Sequence, residues 1–97
     1  MSKQIAVDAL AHSRLDHVAV AVRDLKSHQV ALVGFLDSDL KARVELISDI
    51  PLGHKFALKD LASGSDVLEY GQCIGTAIRD IKMGEHVHVH NIRSKRW

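Results

Sequence analysis

The amino-acid sequence predicts a mainly β fold, built from short strands with little helix, and three observations predict it. Valines and histidines alternate within the stretch 84–91, and alternation is typical of a strand because successive side chains point to opposite faces. Five of the six glycines lie between residues 53 and 84, where tight turns would require them. A short stretch with the residues of a turn also recurs along the chain.

The recurring stretch contains a basic and an acidic residue, a Leu or Ile, and a glycine three positions later. Residues 57–64 align with residues 77–84, and a fainter third copy at 21–28 has His28 in the glycine position. The copies are too few and too unevenly spaced for a solenoid. They predict a compact, convoluted all-β fold in which short strands meet at similar corners.

Apolar runs separated by polar turns place the individual strands. We predict them at residues 5–7, 17–22, 29–36, 42–47, 66–69 and 84–91. Residues 8–15 are mixed and fit a turn or a short helix, whereas 37–39 fit a hairpin turn. A helix over 39–46 stays open as an alternative, because its apolar residues also have near-helical spacing. Pro51 ends the element before it, since it cannot donate a ladder hydrogen bond.

Length and composition set limits on the class of protein. Ninety-seven residues, 46% of them hydrophobic, predict a single domain over 1–97 with a basic C-terminal tail at 92–97. Such a chain is small for an enzyme that must wall its own pocket, so a partner surface is expected. The net charge of +1 gives no argument for binding nucleic acid or a membrane surface.

Cysteine usage and the apolar runs point to a compartment. One cysteine excludes an internal disulfide and suits a reducing environment. No run approaches the roughly 20 apolar residues of a membrane span, and the N-terminus lacks the apolar core of a signal peptide. The expected location is the cytoplasm.

The stretch 84–91 carries three histidines that would share one face of a strand, His86, His88 and His90. Successive rings would stand about 6.6 Å apart, so two of them could bind one metal ion, whereas three collinear rings span about 13 Å and could not. Imidazole suits iron, zinc or manganese. Further ligands would come from His54, a turn acid or another chain. The alternative is a polar strand that faces solvent or a partner.

Gly53, His54 and Lys55 follow the proline. A histidine beside a lysine can supply a general base and a cation that binds a carboxylate. Neighbours on a strand point to opposite faces, so both side chains reach one site only if the glycine bends the chain there. The alternative is an exposed pair in a loop.

Tyr70 and Gly71 follow the strand predicted at 66–69, and a second glycine, Gly75, comes shortly after. The glycines would let backbone amides approach a ligand, and Tyr70 could donate a hydrogen bond. A hairpin corner or bulge is the favoured interpretation of this spacing. Cys73 is interpreted as a small buried residue rather than a nucleophile.

Four stretches carry a family resemblance: 16–21, 50–58, 69–77 and 84–91. Their order and spacing resemble the SAF-type N-terminal domain of altronate and galactarate dehydratases, and more closely the separate small subunit of sulfolactate sulfo-lyase and related two-subunit lyases. The resemblance implies a SAF-type β-clip fold and a lyase that eliminates water or sulfite from a hydroxy acid. It also implies a divalent metal in the holoenzyme, Fe2+ first, with Mn2+ or Zn2+ as alternatives.

The residues to which the resemblance points lie in the last three of these stretches. The roles that it implies are catalytic for His54 and Lys55, metal-binding for His86 and His88, and substrate-binding for Tyr70, Gly71, His90 and Asn91. Glu69 stands where the family commonly has Lys, Gln72 stands where it has Glu, and 26–48 is weakly similar. Because carboxylate and sulfonate recognition depends on a few placed cations, these departures leave the substrate open.

We therefore expect a small subunit that completes the active site of a hydroxy acid lyase together with a separate large subunit, and that forms a homo-oligomer when alone. The choice between dehydration and loss of sulfite stays open. One alternative is a stand-alone β-clip module that binds a sugar acid or a protein partner without turnover. Another is a metal-binding storage or sensor domain.

Overall fold

The computed structural model describes residues 6–94, which form nine strands and contain no helix, so the predicted mainly β fold is confirmed. The strands are β1 (Ala9–Ala11), β2 (Val18–Ala21), β3 (Val30–Phe35), β4 (Lys41–Glu45), β5 (Lys55–Ala57), β6 (Asp66–Glu69), β7 (Gln72–Ala77), β8 (His86–Val87) and β9 (Ile92–Ser94). Within these residues there is no helix of the length and apolarity that crossing a membrane requires.

Two sheets make up the fold. The larger has six strands in the order β4-β3-β1-β2-β5-β8, and the smaller has three in the order β6-β7-β9. β1 runs parallel to β3, and the other strand pairs are antiparallel. β5 is hydrogen-bonded to both β2 and β8, so it is an interior strand next to the edge strand β8, and this pairing holds its backbone on both sides.

Most of the predicted strands are confirmed. Those at 17–22, 29–36, 42–47 and 66–69 correspond to β2, β3, β4 and β6. The helical alternative for 39–46 is wrong, because β4 pairs with β3 from Val30 opposite Glu45 to Gly34 opposite Lys41.

The prediction at the start of the chain is wrong. Residue 5 of the strand predicted at 5–7 lies outside the described residues, and Ala6 and Val7 are not in a strand. The first strand instead begins at Ala9, inside the segment expected to be a turn or short helix. Ala9 is fully buried, because β1 lies between β2 and β3 and hydrogen-bonds to both.

Four corners of equivalent structure connect the strands, one more than the sequence repeat indicated. Each corner has an Asp, then a Leu or Ile, and a residue with positive φ three positions later. The corners are 24–28, 49–53, 60–64 and 80–84, and they end at His28 (φ 73°), Gly53 (83°), Gly64 (88°) and Gly84 (87°). The second corner, 49–53, is the copy that the sequence comparison missed.

The corners fasten to one another in two reciprocal pairs. Leu25 and Ile50 exchange two backbone hydrogen bonds of 2.8 and 2.9 Å. The carboxylate of Asp24 accepts the N–H of Leu52, and that of Asp49 accepts the N–H of Ser27, both at 2.8 Å.

The third and fourth corners repeat this arrangement. Leu61 and Ile81 exchange hydrogen bonds of 2.7 and 2.8 Å. The carboxylate of Asp60 accepts from Met83, and that of Asp80 accepts from Ser63, both at 2.9 Å.

Two apolar clusters lie on opposite faces of β5. Phe56 belongs to a cluster rich in alanine that also contains the Leu25 and Ile50 of the first corner pair. Its neighbour Ala57 belongs to a second cluster that contains the Leu61 and Ile81 of the other pair. Because adjacent residues of a strand point to opposite faces, β5 separates the two clusters and connects both corner pairs.

The first three residues of the tail predicted at 92–97 form a strand. Residues 92–94 form β9, which pairs with β7, and Ile92 is buried. Gly75 allows this pairing, because a Cβ there would collide with the carbonyl oxygen of Arg93. Residues 92–94 of the predicted basic tail therefore belong to a sheet, and the remaining residues of the tail lie outside the described part of the chain.

His17 joins the two sheets through two hydrogen bonds to Leu68, one of which needs the neutral ring. Its backbone N–H donates to Leu68 O at 2.9 Å, and its Nδ1 accepts the N–H of Leu68 at 3.1 Å. Burial, followed by the charge of Lys59, lowers the pKa of His17 below its usual value of 6.5. The folded protein therefore favours the neutral ring, which can accept the hydrogen bond from Leu68.

We expect the free energy of unfolding to decrease as the pH falls below about 6.5, because the unfolded chain then binds a proton that folded His17 resists. The stabilisation is fully present above the unfolded pKa and is lost as the pH falls through the folded one. Urea unfolding of wild type and His17→Asn between about pH 7.5 and pH 5 checks this, since an amide oxygen can accept from Leu68 without titrating. Parallel pH profiles would contradict it.

Candidate functional site

The second and fourth corners each deliver a histidine to the same edge of the larger sheet. His54 directly follows Gly53 and precedes β5, whereas His86 follows the fourth corner and opens β8. β5 and β8 pair with Phe56 opposite His86. Because side chains two residues apart share a face, His54 lies on the same side as Phe56 and therefore as His86.

Three histidine rings meet at this edge, and we call His54, His86 and His88 the histidine cluster. His54 Nδ1 lies 2.9 Å from His86 Nε2, a hydrogen-bond distance. The ring centroids of His54 and His88 are 4.6 Å apart, and the His86 and His88 rings are nearly parallel at 10°. One nitrogen from each ring lies within 4.8 Å of the other two.

The predicted strand over 84–91 is wrong beyond Val87. The chain turns at residues 88–91, where the Asn91 N–H donates to His88 O at 3.1 Å. This turn, rather than strand alternation, brings His88 to His54. The objection that three collinear rings cannot bind one ion therefore does not apply to the histidine cluster. His90 is exposed on the turn, with its ring 5.4 Å from that of His86.

The histidine cluster could hold a divalent cation. Imidazole nitrogens bind such ions at about 2.0 to 2.2 Å, so two nitrogens on one ion stand at most about 4.4 Å apart, and the three nitrogens here, within 4.8 Å of one another, would need only a small approach to share an ion. Burial first, and then the neighbouring His54, His90 and His88, lower the pKa of His86 below 6.5. A neutral ring has a lone pair to donate, so this environment favours a ligand.

Lys55 and His54 line the same cleft, as the bend at Gly53 was predicted to allow. This histidine cleft has a volume of about 250 Å³ and is lined by Gly53, His54, Lys55, Val87, His88 and Ile92. The Lys55 ammonium lies 3.3 Å from the carboxylate of Glu69, with about a third of its side chain exposed. The cleft therefore combines imidazoles with one cation whose position an acidic partner fixes.

A second cleft of about 400 Å³ lies next to the first and shares Lys55 and Ile92 with it. Its other lining residues are His12, Glu69, Tyr70, Gln72, Cys73, Ile74 and Ser94. Apart from the Lys55–Glu69 pair, its lining combines uncharged polar side chains with Cys73, Ile74 and Ile92.

Tyr70 and Gly71 form the predicted hairpin corner. Glu69 pairs with Gln72, and the two residues between them have φ of 54° and 71°. Two positive φ angles are typical of a type I′ turn, which suits the twist of a hairpin. Tyr70 is exposed and lies against His12, with ring centroids 4.4 Å apart. Gly71 lies at the hairpin tip and is not among the residues lining the second cleft.

Sequence reasoning missed the contribution of Asp16 and His12. Asp16 is almost completely buried, and its two oxygens accept the backbone N–H groups of His12 and Tyr70, each at 2.9 Å. It thereby holds both rings beside the second cleft. A polar residue just before a valine-rich strand gave no signal of this role, because the contact with Tyr70 spans 54 residues.

Asn91 has a different position from the one that its predicted contact with substrate requires. Its side chain is fully buried and hydrogen-bonds to the backbone of His86 and His88. His90, the preceding residue and the other one in this turn predicted to bind substrate, is exposed. Of the eight predicted site residues, the structure brings His54, Lys55, His86 and His88 together, with Tyr70 in the adjoining cleft.

Comparison with known proteins gives a family. The family model described as the altronate/galactarate dehydratase SAF domain matches residues 7–95. The chain is 37% identical over 94 residues to (2R)-sulfolactate sulfo-lyase subunit alpha of Chromohalobacter salexigens, which covers 96% of this chain and 100% of that protein.

Longer relatives match through one region. The chain is 45% identical over 80 residues to altronate dehydratase of Escherichia coli, covering 82% of this chain and 15% of the dehydratase. Altronate dehydratase of Bacillus subtilis is 36% identical over 80 residues, with the same 15% coverage. The family match, the nearly full-length similarity and the mainly β fold agree, and the chain belongs to the altronate/galactarate dehydratase SAF domain family.

Proposed function

We propose that this chain is the small subunit of a two-subunit lyase that eliminates water or sulfite from a hydroxy acid, with a separate large subunit completing the active site. The observation that carries the proposal is the histidine cluster beside a cleft that two of its members, His54 and His88, line together with Lys55. That cleft, about 250 Å³, is smaller than the roughly 300 to 1,000 Å³ of ordinary ligand pockets. Its size supports a site that a partner surface encloses.

His54 is the proposed general base. Its Nδ1 faces His86, which leaves Nε2 outside that hydrogen bond. Elimination requires a base to remove the proton next to the substrate carboxylate; the electron pair of that C–H bond forms the C=C bond, and the C–O or C–S bond breaks with its pair on the leaving group. The Lys55 ammonium would pair with the substrate carboxylate and stabilise the negative charge that develops there.

The residues proposed to hold a divalent metal are His86 and His88, with His54 as the third nitrogen within reach. Fe2+ is our first choice, and Mn2+ and Zn2+ suit the same imidazole set. When bound, such an ion supplies Lewis acid chemistry that helps a hydroxyl or sulfonate group to leave. Tyr70 would contact the remainder of the substrate from the second cleft, and Gly71 and His90, which line neither cleft, would contact it from the hairpin tip and the exposed turn.

Reconstitution tests the proposal. We expect the chain to co-purify with a larger subunit, and turnover to appear only when the two are mixed. Assays of the mixture against aldonic, aldaric and sulfonated hydroxy acids identify the leaving group, because loss of water and release of sulfite give different products. Full activity of the large subunit alone, or no turnover of any hydroxy acid by the complex, would contradict the proposal.

A second candidate function is a stand-alone module that binds a sugar acid without turnover. The cleft of about 400 Å³, lined within this chain alone, favours it, because that volume lies inside the range of ordinary ligand sites. Titration of the isolated chain with an aldonic acid distinguishes the candidates. Binding without a partner, together with no activity on mixing, supports the module.

Metal affinity depends on His88 if the histidine cluster binds the ion. We expect His88→Ala to weaken Fe2+ or Zn2+ binding at least about tenfold, since one of three nitrogen ligands is lost, with little change in stability because the side chain is exposed. Calorimetric titration measures the affinity. His90→Ala is the matched control, because His90 lies on the same turn but outside the cluster. Equal affinities of His88→Ala and wild type would remove His88 from the metal site.

A further inference from the structure

Asn91 is one of two buried polar residues in the described part of the chain, and the contacts of its side chain all lead to the histidine cluster or the corner before it. Its Oδ1 accepts the backbone N–H of His88 at 2.9 Å. Its Nδ2 donates to the backbone carbonyl of His86 at 2.7 Å and to the carboxylate of Glu85 at 3.4 Å. The side chain therefore holds both backbone segments that carry the second and third rings.

These contacts replace the strand ladder that ends at Val87. The His88 carbonyl accepts two backbone N–H groups, from Asn91 and Ile92, both at 3.1 Å. The backbone N–H of His88, in turn, donates to Asn91 Oδ1. Without that acceptor the His88 N–H would be left unpaired beside a buried side chain, and the turn would lose the bond that closes it from inside.

Glu85 connects this turn to the fourth corner. One carboxylate oxygen accepts the backbone N–H of Lys82 at 3.0 Å, and the other receives Asn91 Nδ2. The corner itself is fixed by the reciprocal bonds to the third corner. A chain of hydrogen bonds thus runs from the corner through Glu85 and Asn91 to the backbone of both histidines.

We propose that Asn91 is the positioning residue of the histidine cluster: it sets the spacing of His86 and His88 through their backbones, so that with His54 they present three nitrogens to one divalent cation. The proposal rests on the metal site of the proposed function. It assigns Asn91 a role through the histidines and without contact to substrate. Removal of a side chain that orients metal ligands without binding the metal itself typically changes metal affinity about 10- to 100-fold.

Co2+ binding to the full chain tests the proposal, because this ion has visible absorption that reports its coordination. We expect Asn91→Ala to bind Co2+ at least about tenfold more weakly than wild type and to change the absorption spectrum. Asn91→Asp retains the acceptor for the His88 N–H and removes the donor to the His86 carbonyl. It is the variant to test if Asn91→Ala does not fold. Unchanged affinity and spectrum in a folded variant would overturn the proposal.

Val67→Ala separates positioning from general loss of stability. Val67 is fully buried in the second apolar cluster, on β6, and belongs to neither the turn nor the histidine cluster. We expect it to lower the denaturation midpoint while leaving Co2+ affinity within about twofold of wild type. If Val67→Ala weakens Co2+ binding as much as Asn91→Ala does, Asn91 has only a structural role.

The metal-free protein gives an independent readout. Nitrogen-15 NMR of the imidazole rings should show one dominant tautomer for His54 and for His86 in wild type, because they share a hydrogen bond, and averaged signals in Asn91→Ala. If wild type binds no Co2+ but Asn91→Ala still averages these signals, the metal assignment fails and the positioning role stands. Unchanged ring signals in Asn91→Ala would overturn the positioning role itself.

Discussion

His54→Ala is expected to lower turnover of the reconstituted lyase by about 10² to 10⁴, the range over which a positioned general base contributes. The ring lines the histidine cleft beside Lys55, and its substitution removes the proposed base while leaving His88 as the other imidazole of that lining. Steady-state kinetics of the mixed subunits measure the effect, and the denaturation midpoint of the isolated variant shows whether it remains folded. A rate near that of wild type would remove His54 from the mechanism.

Metal content of the same variant separates the two functions that His54 could serve. If turnover is lost while the bound metal stays stoichiometric, His54 acts on the proton alone. If both are lost together, His54 is a metal ligand. His90→Ala is the control for the metal measurement alone, because its ring lies next to His86 but outside the cluster.

Gly84→Ala should be the most destabilising of the glycine substitutions at the corners, costing about 3 kcal/mol or more. Gly84 has a φ of 87°, and a Cβ there would collide with the backbone carbonyl oxygen of Glu45, which a side-chain shift cannot relieve. Chemical denaturation measures the free energy of unfolding.

Gly64→Ala is its matched control. Gly64 ends the partner corner with nearly the same φ, 88°, but a Cβ there meets nothing within 4 Å. Its substitution should therefore cost only the left-handed conformation, about 1 kcal/mol. Equal losses in the two variants would show that backbone conformation alone governs both, and that the chain relaxes around the new methyl group at Gly84.

Local chemistry predicted β2, β3, β4 and β6, the residues of β8, and three of the four corners, because alternation and glycine spacing are properties of a few adjacent residues. The second corner was missed because Ser48 stands where each other copy has a basic residue before its Asp, and because Pro51 pointed only to the end of an element. Its equivalence becomes visible through the reciprocal bonds of Asp24 and Asp49, which join residues more than 20 positions apart.

The candidate site was predicted in its residue types and only partly in its geometry. His54 and His86 meet because β5 pairs with β8, and no local pattern specifies that pairing. His88 joins them through a turn that Asn91 closes, which alternation of His and Val concealed. Asp16 holds His12 and Tyr70 beside the second cleft, and Tyr70 lies on a hairpin far along the chain. Sequence spacing therefore carried no information about this contact.

The reciprocal corners make assembly of the histidine cluster a property of the completed fold. His54 and His86 lie 32 positions apart, and each depends on a corner whose partner lies elsewhere in the sequence. No fragment shorter than most of the chain can assemble the three rings, and loops this long close slowly. A cation held there would add its binding free energy to the stability of the entire domain, so a chelator should lower the melting temperature in one cooperative transition.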